Sequence, residues 1–516
     1  MRKINWKRIL SYCCIAILLI STRFVNLGWG LPYPMHPDER NMAVAILSLA
    51  NSFNPHFFAY GQFPLYLAYF LLQLSHQPLN FVSATLALRI ISAVASIINV
   101  FILLEILNFL NHKAKILNLL AVTLFIFSPA FIQLSHFGTT ESLLMLFYSL
   151  IIYESLKHKQ DILFLALWSG LAAATKVSAL IFWIVPLTVI TCRFINESGR
   201  RKVFAQMIKY LELSMLFGII FAPYNLLAFD EFRNSISYES AVATGSILVF
   251  YTRQFVGTIP VLFQFTKIFP YALGWPVTIL AILGLLGLSW KSKEFNLLRL
   301  AFFVYFIPNA FLFTKWTRFM APVFPLMILF AILFLFSLSF RAASPLLKRF
   351  KGSFASLGMI GMIIIVIMAV IPGILYLRVY LYPNVRFQAT EWIDKNVPKN
   401  SVILSETANV VDVPFDTQNY RYISFDFYDL DQNYELQQEL MRDIKAADYI
   451  IVPSRRVFMN HPANEYPKLN NYYRQLFSGR LGFKKVAEFG VNKSDEQAEE
   501  TFSVFDHPVI RIYKRI

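Results

Sequence analysis

The chain has 516 residues, of which 57% are hydrophobic, 16% aromatic and only 15% charged, against ~25% charged in a soluble globular protein. Apolar runs of roughly 20 residues recur through the first three quarters, so the solvent of that part is a bilayer, and collagen-like, disordered and disulfide-stapled chains are excluded. The net charge of +16 is not a nucleic-acid signal, because residues 1–377 hold 29 Lys+Arg against 12 Asp+Glu while residues 378–516 hold 18 against 19, which assigns the surplus to the membrane part.

In chain order, the apolar runs predict spans at 9–28, 84–108, 116–133, 140–156, 161–175, 177–194, 203–223, 270–289, 297–313, 319–340 and 354–377, about eleven in all. Arg2, Lys3, Lys7 and Arg8 precede the first span. Lys113, Lys115, Lys157, Lys159, Arg200, Arg201 and Lys202 fill alternate loops, and Lys291, Lys293, Arg341, Lys348, Arg349 and Lys351 complete the series. All fall on one side if the N-terminus is cytoplasmic. The stretch 161–194 must then be two short helices turning near Thr175 and Lys176, since one long span would put every later basic loop on the wrong side. Cys13, Cys14 and Cys192 fall inside apolar stretches and have no disulfide or metal spacing. The first span reads as uncleaved, with no small-x-small site before Pro32.

Two long segments between spans, 29–83 and 224–269, fall on the extracytoplasmic side, and loops of this length in a compact architecture are usually functional. The first holds His36-Pro37-Asp38-Glu39-Arg40 and an apolar piece from Leu65 to Leu74, too short to span, that reads as an interfacial helix. Pro37-Asp38-Glu39 has a plain reading as a helix start, with acids facing the positive end of the dipole. Thr139-Thr140-Glu141 reads in the same way, with a Thr cap. The cations add a second reading. Arg23, Arg40, Arg89, Lys176, Arg233, Arg253, Lys267, Lys315 and Arg318 all fall at outer ends of spans or in outer loops, where a charge needs a partner or a job. Acids ringed by cations at a membrane surface suit a substrate with a phosphate head and a lipid tail. Aromatic residues in these loops, Tyr60 among them, suit sugar faces as well as interfacial belts.

From about residue 380 the chain changes character. Ser401 to Ser405, Tyr420 to Asp426, Tyr449 to Val452 and Phe502 to Tyr513 read as strands, the last broken at Pro508. Asn433 to Ala447 and Glu465 to Phe477 read as amphipathic helices. The expectation is a polytopic α-helical membrane domain over 1–380 followed by an extracytoplasmic α/β domain over 381–516.

Thr22-Arg23-Phe24 through His36-Pro37-Asp38-Glu39 resembles the first outer loop of the GT-C glycosyltransferases, in particular the protein O-mannosyltransferase and aminoarabinose transferase-like group. Ser135-His136-Phe137 to Glu141, Gly170-Leu171 to Thr175-Lys176, Arg318-Phe319-Met320-Ala321-Pro322 and Asp506-His507-Pro508 extend the resemblance over nearly the whole chain. Relatives commonly have Asp where this chain has Glu141. The resemblance implies transfer of a sugar from a polyprenyl phosphate donor to an acceptor hydroxyl of a lipid, glycan or protein, with inversion, in a multi-pass protein of a prokaryotic plasma membrane. Asp38 is the expected general base with Glu39 beside it. Lys176, Arg318, Arg23 and Lys267 are the expected donor-phosphate cations, and His36, Arg40, His136, Glu141 and Tyr60 the supporting or acceptor-side residues. Some members of the wider fold use a divalent metal. His36, Asp38, Glu39, His136 and Glu141 are of ligand type, but their spacing carries no metal signature, so no cofactor is called for and a metal stays open. A transporter or flippase for lipid-linked glycans is the rival reading, against which stand the absence of a repeated half and charge gathered at one side. A non-catalytic scaffold in envelope polysaccharide assembly is a third.

Overall fold

The computed structural model describes residues 6–110, 115–157, 160–197, 199–342, 353–407 and 412–516. Arg2, Lys3, Lys113, Lys159, Lys348, Arg349 and Lys351, which enter the orientation argument, lie outside the described residues.

Helix follows each apolar run: Trp6–Phe24, Phe81–Leu110, Lys115–Ile126 with Pro129–His136, Glu141–Leu156, Ile162–Thr175, Val177–Trp183 with Ile184–Glu197, Arg200–Phe221, Trp275–Gly287, Lys293–Phe311, Thr317–Val323 with Phe324–Ala342, and Ser353–Leu381. By length and composition, four helices suffice to cross a membrane alone, and up to six if each bent pair is one span. The rest are shorter, and Glu141–Leu156 is buried along nearly its whole length, glutamates included. It is the axis of the bundle, apolar all round as a fully enclosed helix must be.

The stretch 161–194 folds back on itself. Helix Ile162–Thr175 stops at Thr175, Lys176 is extended (φ −160°, ψ 129°), and Trp183 Nε1 donates to Ser169 O at 3.1 Å. Leu165 and Ala166 thereby cluster with Ile190, and both pack on Tyr210. Close approach of helices depends on small residues, as in other membrane bundles. A Cβ on Gly170 would stand 2.5 Å from Phe217 Cβ and 2.8 Å from Ser214 O, and one on Gly284 would stand 2.2 Å from Phe330 O.

The apolar piece expected at the interface is helix Phe63–Leu74. It buries Leu65, Ala68 and Leu72 and leaves Leu67, Phe70 and Leu74 exposed. Glu141 begins its helix as expected, but Thr140 makes no capping bond to the backbone. Its hydroxyl lies 3.3 Å from Glu141 Oε1 instead.

The C-terminal part holds a five-stranded sheet in the order β2-β1-β3-β5-β4, with β1 (Val402–Glu406), β2 (Arg421–Phe425), β3 (Tyr449–Val452), β4 (Phe483–Phe489) and β5 (Ile510–Arg515). β1 pairs in parallel with β2 and β3, while β5 runs antiparallel to β3 and β4. Helices Tyr434–Ala446 and Pro467–Phe477 fall where the sequence predicts them. The strand expected from Phe502 starts only at Ile510, after Pro508. Residues 500–503 form a helical turn instead, because this segment is inserted into the bundle: Phe502, Val504 and Phe505 belong to the membrane-domain core. Buried Asp506 fixes the insertion, accepting from Tyr376 OH at 2.6 Å and Tyr380 OH at 2.8 Å. Arg386 donates to Val504 O and Phe505 O.

Candidate active site

Helix Pro37–Ser48 opens with proline at its first position and both acids in its first turn, so the dipole favours both carboxylates. Successive residues of a helix face different directions, and the two acids meet different surroundings. Glu39 turns inward. Arg89 Nε donates to its Oε1 at 2.7 Å, Arg89 Nη2 to its Oε2 at 2.6 Å, and Gly138 N to Oε1 at 2.7 Å. Arg89, itself fully buried, also bonds Leu27 O at 2.6 Å and Trp29 O at 2.8 Å. Glu39 is thus the hub that ties the first loop to helix Phe81–Leu110 and to the turn before Glu141.

Asp38 turns outward onto a cavity of about 700 Å³. Its Oδ2 is ion-paired with Arg318 Nη1 and lies 3.8 Å from His36 Nδ1. Burial first, then Arg318, Arg89 and Arg456, hold His36 well below the usual imidazole range, so a neutral ring faces the carboxylate. Arg318 comes from the turn Thr317–Val323, with its guanidinium 4.9 Å from the Trp316 ring centre. Lys176 reaches the same cavity from the fold-back at 175–177. Its Nζ lies 3.8 Å from Glu141 Oε1, and 5.2 and 5.1 Å from the ring centres of Tyr60 and Phe319. The extended backbone at Lys176 is what lifts this ammonium off the helix end and over the two rings. A smaller depression of about 400 Å³ on the C-terminal domain, between Phe477 and Lys484, shares no lining residue with this cavity.

The cavity therefore brings together Asp38, Arg40, Tyr60, Lys176 and Arg318, with Glu141 behind Lys176. Other expected site residues lie elsewhere. Arg23 is wholly buried and serves a helix end, donating to Phe125 O at 2.7 Å and Ile126 O at 3.0 Å, where helix carbonyls lack partners. Lys267 Nζ donates to Gln497 O at 3.0 Å, joining the second loop to the C-terminal domain. His136 stacks on Tyr380 at 3.7 Å, with its two nitrogens at Ile132 O and Val25 O. Neither Arg23, Lys267 nor His136 lines the cavity. Three residues that sequence reasoning missed do: Glu239 from helix Phe229–Thr244, Trp316, and Arg456 from the loop after β3. Burial raises the Glu239 carboxyl above its ordinary range, and Lys176 opposes that. For Glu239 the available signal was an acid in the long segment 224–269; for Arg456 the sequence held none. Among the described residues, no three His, Cys, Asp or Glu side chains converge to hold a metal ion.

Residues 64–226 match the family model described as dolichyl-phosphate-mannose-protein mannosyltransferase, a stretch that contains Glu141 and Lys176. No curated protein matches the chain. Among solved structures, ArnT from Cupriavidus metallidurans bound to undecaprenyl phosphate is similar at a TM-score of 0.51 and 12% identity, over 98% of this chain and 98% of that one. The archaeal oligosaccharyltransferase AglB from Archaeoglobus fulgidus, in complex with an inhibitory peptide and a dolichol-phosphate, is similar at 0.50 and 10% identity, over 91% and 72%. At such identities the likeness is one of fold. The chain has an ArnT-like membrane fold with a C-terminal sheet domain, and the family model and both neighbours belong to the GT-C glycosyltransferase superfamily, which bears out the resemblance read from the sequence.

Proposed function

We propose that this protein is an inverting glycosyltransferase that moves a sugar from a polyprenyl phosphate donor to an acceptor hydroxyl at the extracytoplasmic membrane face, with the N-terminus cytoplasmic and the C-terminal domain outside. The observation that carries this reading is the meeting of Asp38 with Lys176 and Arg318 on one cavity. In the reaction, the acceptor oxygen attacks the anomeric carbon and gives its proton to Asp38. The bond from that carbon to the phosphate oxygen breaks on the opposite face, and its electron pair stays on the phosphate, which becomes a dianion. Lys176 and Arg318 stabilise that charge where water is scarce.

The Asp38–Arg318 pair fits this sequence of events. With Arg318 on it, the Asp38 carboxylate is a poor proton acceptor, because an adjacent cation favours the ionised form. A donor phosphate competes for the guanidinium and frees Asp38 for the hydroxyl, so the base becomes available when the leaving group is in place. Glu39, engaged on both oxygens, acts in this reading as the anchor of the Asp38 turn. Tyr60 and Trp316 offer rings to the sugar. The acceptor class and the sugar are open to the test: purified protein incubated with a panel of polyprenyl phosphate sugars and candidate acceptors should release free polyprenyl phosphate from one donor. Binding without release from any donor would favour a translocating or scaffolding protein.

A further inference from the structure

The cavity has one wall that does not come from the membrane domain. Arg456 is almost wholly buried, and both its Nε and its Nη2 lie 2.7 Å from Glu500 Oε1. Asn460 Nδ2 donates to the other oxygen of Glu500. Glu500 opens the turn that is inserted into the bundle, so the guanidinium is held by an element that is itself clamped. Arg456 Nη1 has no hydrogen-bond partner among the described residues. The guanidinium is thus ordered with donor capacity left over, and its planar fork suits phosphate oxygens.

Cation donors converge on the cavity. Its lining holds four cations, Arg40, Lys176, Arg318 and Arg456, and two acids, Asp38 and Glu239. Glu141 and Glu500, just behind the lining, pair Lys176 and Arg456, so what the cavity offers a phosphate is clustered donors facing the space and not a net charge.

We propose that Arg456, supplied by the C-terminal domain, binds the phosphate of the polyprenyl carrier together with Lys176 and Arg318, so that the donor site is complete only with that domain docked. This rests on the glycosyl transfer reading and adds a domain to its binding site.

The test measures binding of a polyprenyl monophosphate to the full chain in detergent, with the matching polyprenol and inorganic phosphate as controls. Arg456→Gln and the double variant Arg456→Gln with Glu500→Gln, which retains amide hydrogen bonding while removing both charges, should bind the lipid phosphate about tenfold or more weaker, the scale of one charge-assisted hydrogen bond. Polyprenol binding should not change. Unchanged lipid phosphate affinity in a folded variant overturns the proposal, as does an equal loss for polyprenol, which would mark a purely structural role. Inorganic phosphate binding as tightly as the lipid also overturns it. Should neither variant fold, Arg456→Lys, which keeps a charge against Glu500 and gives up the planar fork, should weaken binding of the lipid phosphate and not of the polyprenol, and unchanged lipid phosphate affinity there has the same force. A wild-type chain that binds no polyprenyl phosphate would instead sink the glycosyl transfer reading itself.

Discussion

Replacing Glu39 with Gln tests whether the second acid of the pair is an anchor. The change keeps shape and leaves Arg89 charged, fully buried and without an anionic partner; that guanidinium now spends two donors on the carboxylate and one on each of Leu27 O and Trp29 O. Breaking a buried, hydrogen-bonded ion pair from one side costs about 3 to 5 kcal/mol. Arg89→Met should cost a similar amount, because it strands the carboxylate and both carbonyls. A double variant, Glu39→Gln with Arg89→Met, should lose clearly less than the sum, since neither charge is then left alone. Thermal unfolding followed by tryptophan fluorescence is the assay, with Trp29 as a local reporter 4.4 Å from the Arg89 guanidinium. Strictly additive losses would refute the anchor. So would a Glu39→Gln protein of wild-type stability that has lost its activity, because that would return Glu39 to the chemistry.

Lys176→Met should weaken both donor binding and turnover, on the order of tenfold in affinity, because a cation on the phosphate acts in the ground state as well as the transition state; a pure kcat effect would contradict that placement. The docking of the C-terminal domain should depend on pH through His507. Burial lowers this imidazole, but Asp506 on Nδ1 at 2.6 Å and Asp495 on Nε2 at 3.2 Å outweigh it and raise it to about 10. A raised folded value means that the stabilisation is complete below about pH 6.5 and is lost as pH climbs toward 10. Unfolding temperature should therefore fall over that window in the wild type and stay flatter in His507→Gln. For orientation, in a background without Cys13, Cys14 and Cys192, a single cysteine at exposed Lys445 should label in intact cells and one at exposed Lys291 only after permeabilisation; the reverse pattern would overturn the sidedness.

Helix positions were legible because a bilayer demands long apolar runs and little else in this chain supplies them. The break at Lys176 followed from charge alone. β4 was missed because Lys484, Lys485 and Glu488 hide a strand that is largely exposed at the sheet edge. The strand expected from Phe502 forms only beyond Pro508, since the apolar residues before it serve the bundle core, a use that local alternation does not reveal. Asp38, Lys176 and Arg318 are legible as an acid and two cations at the ends of apolar runs. Arg23 and Lys267 carry the same signal and yet satisfy backbone carbonyls, because position in the sequence does not give the direction of a side chain. Arg456 and Glu239 reach the cavity only through tertiary docking.

The most direct measurement is donor affinity and turnover of Asp38→Asn. Asn keeps the shape of Asp at the second position of the helix and gives up a dipole term of roughly 0.3 to 1 kcal/mol; the pairing with Arg318 is lost as well, but both groups are partly solvated, so the protein should fold. It should also bind donor at least as tightly as the wild type, since Arg318 no longer has a carboxylate to leave. Turnover should drop on the order of 100-fold to 10,000-fold, the usual range for losing a general base. A folded Asp38→Asn protein with wild-type turnover would contradict the assignment of Asp38 as the base.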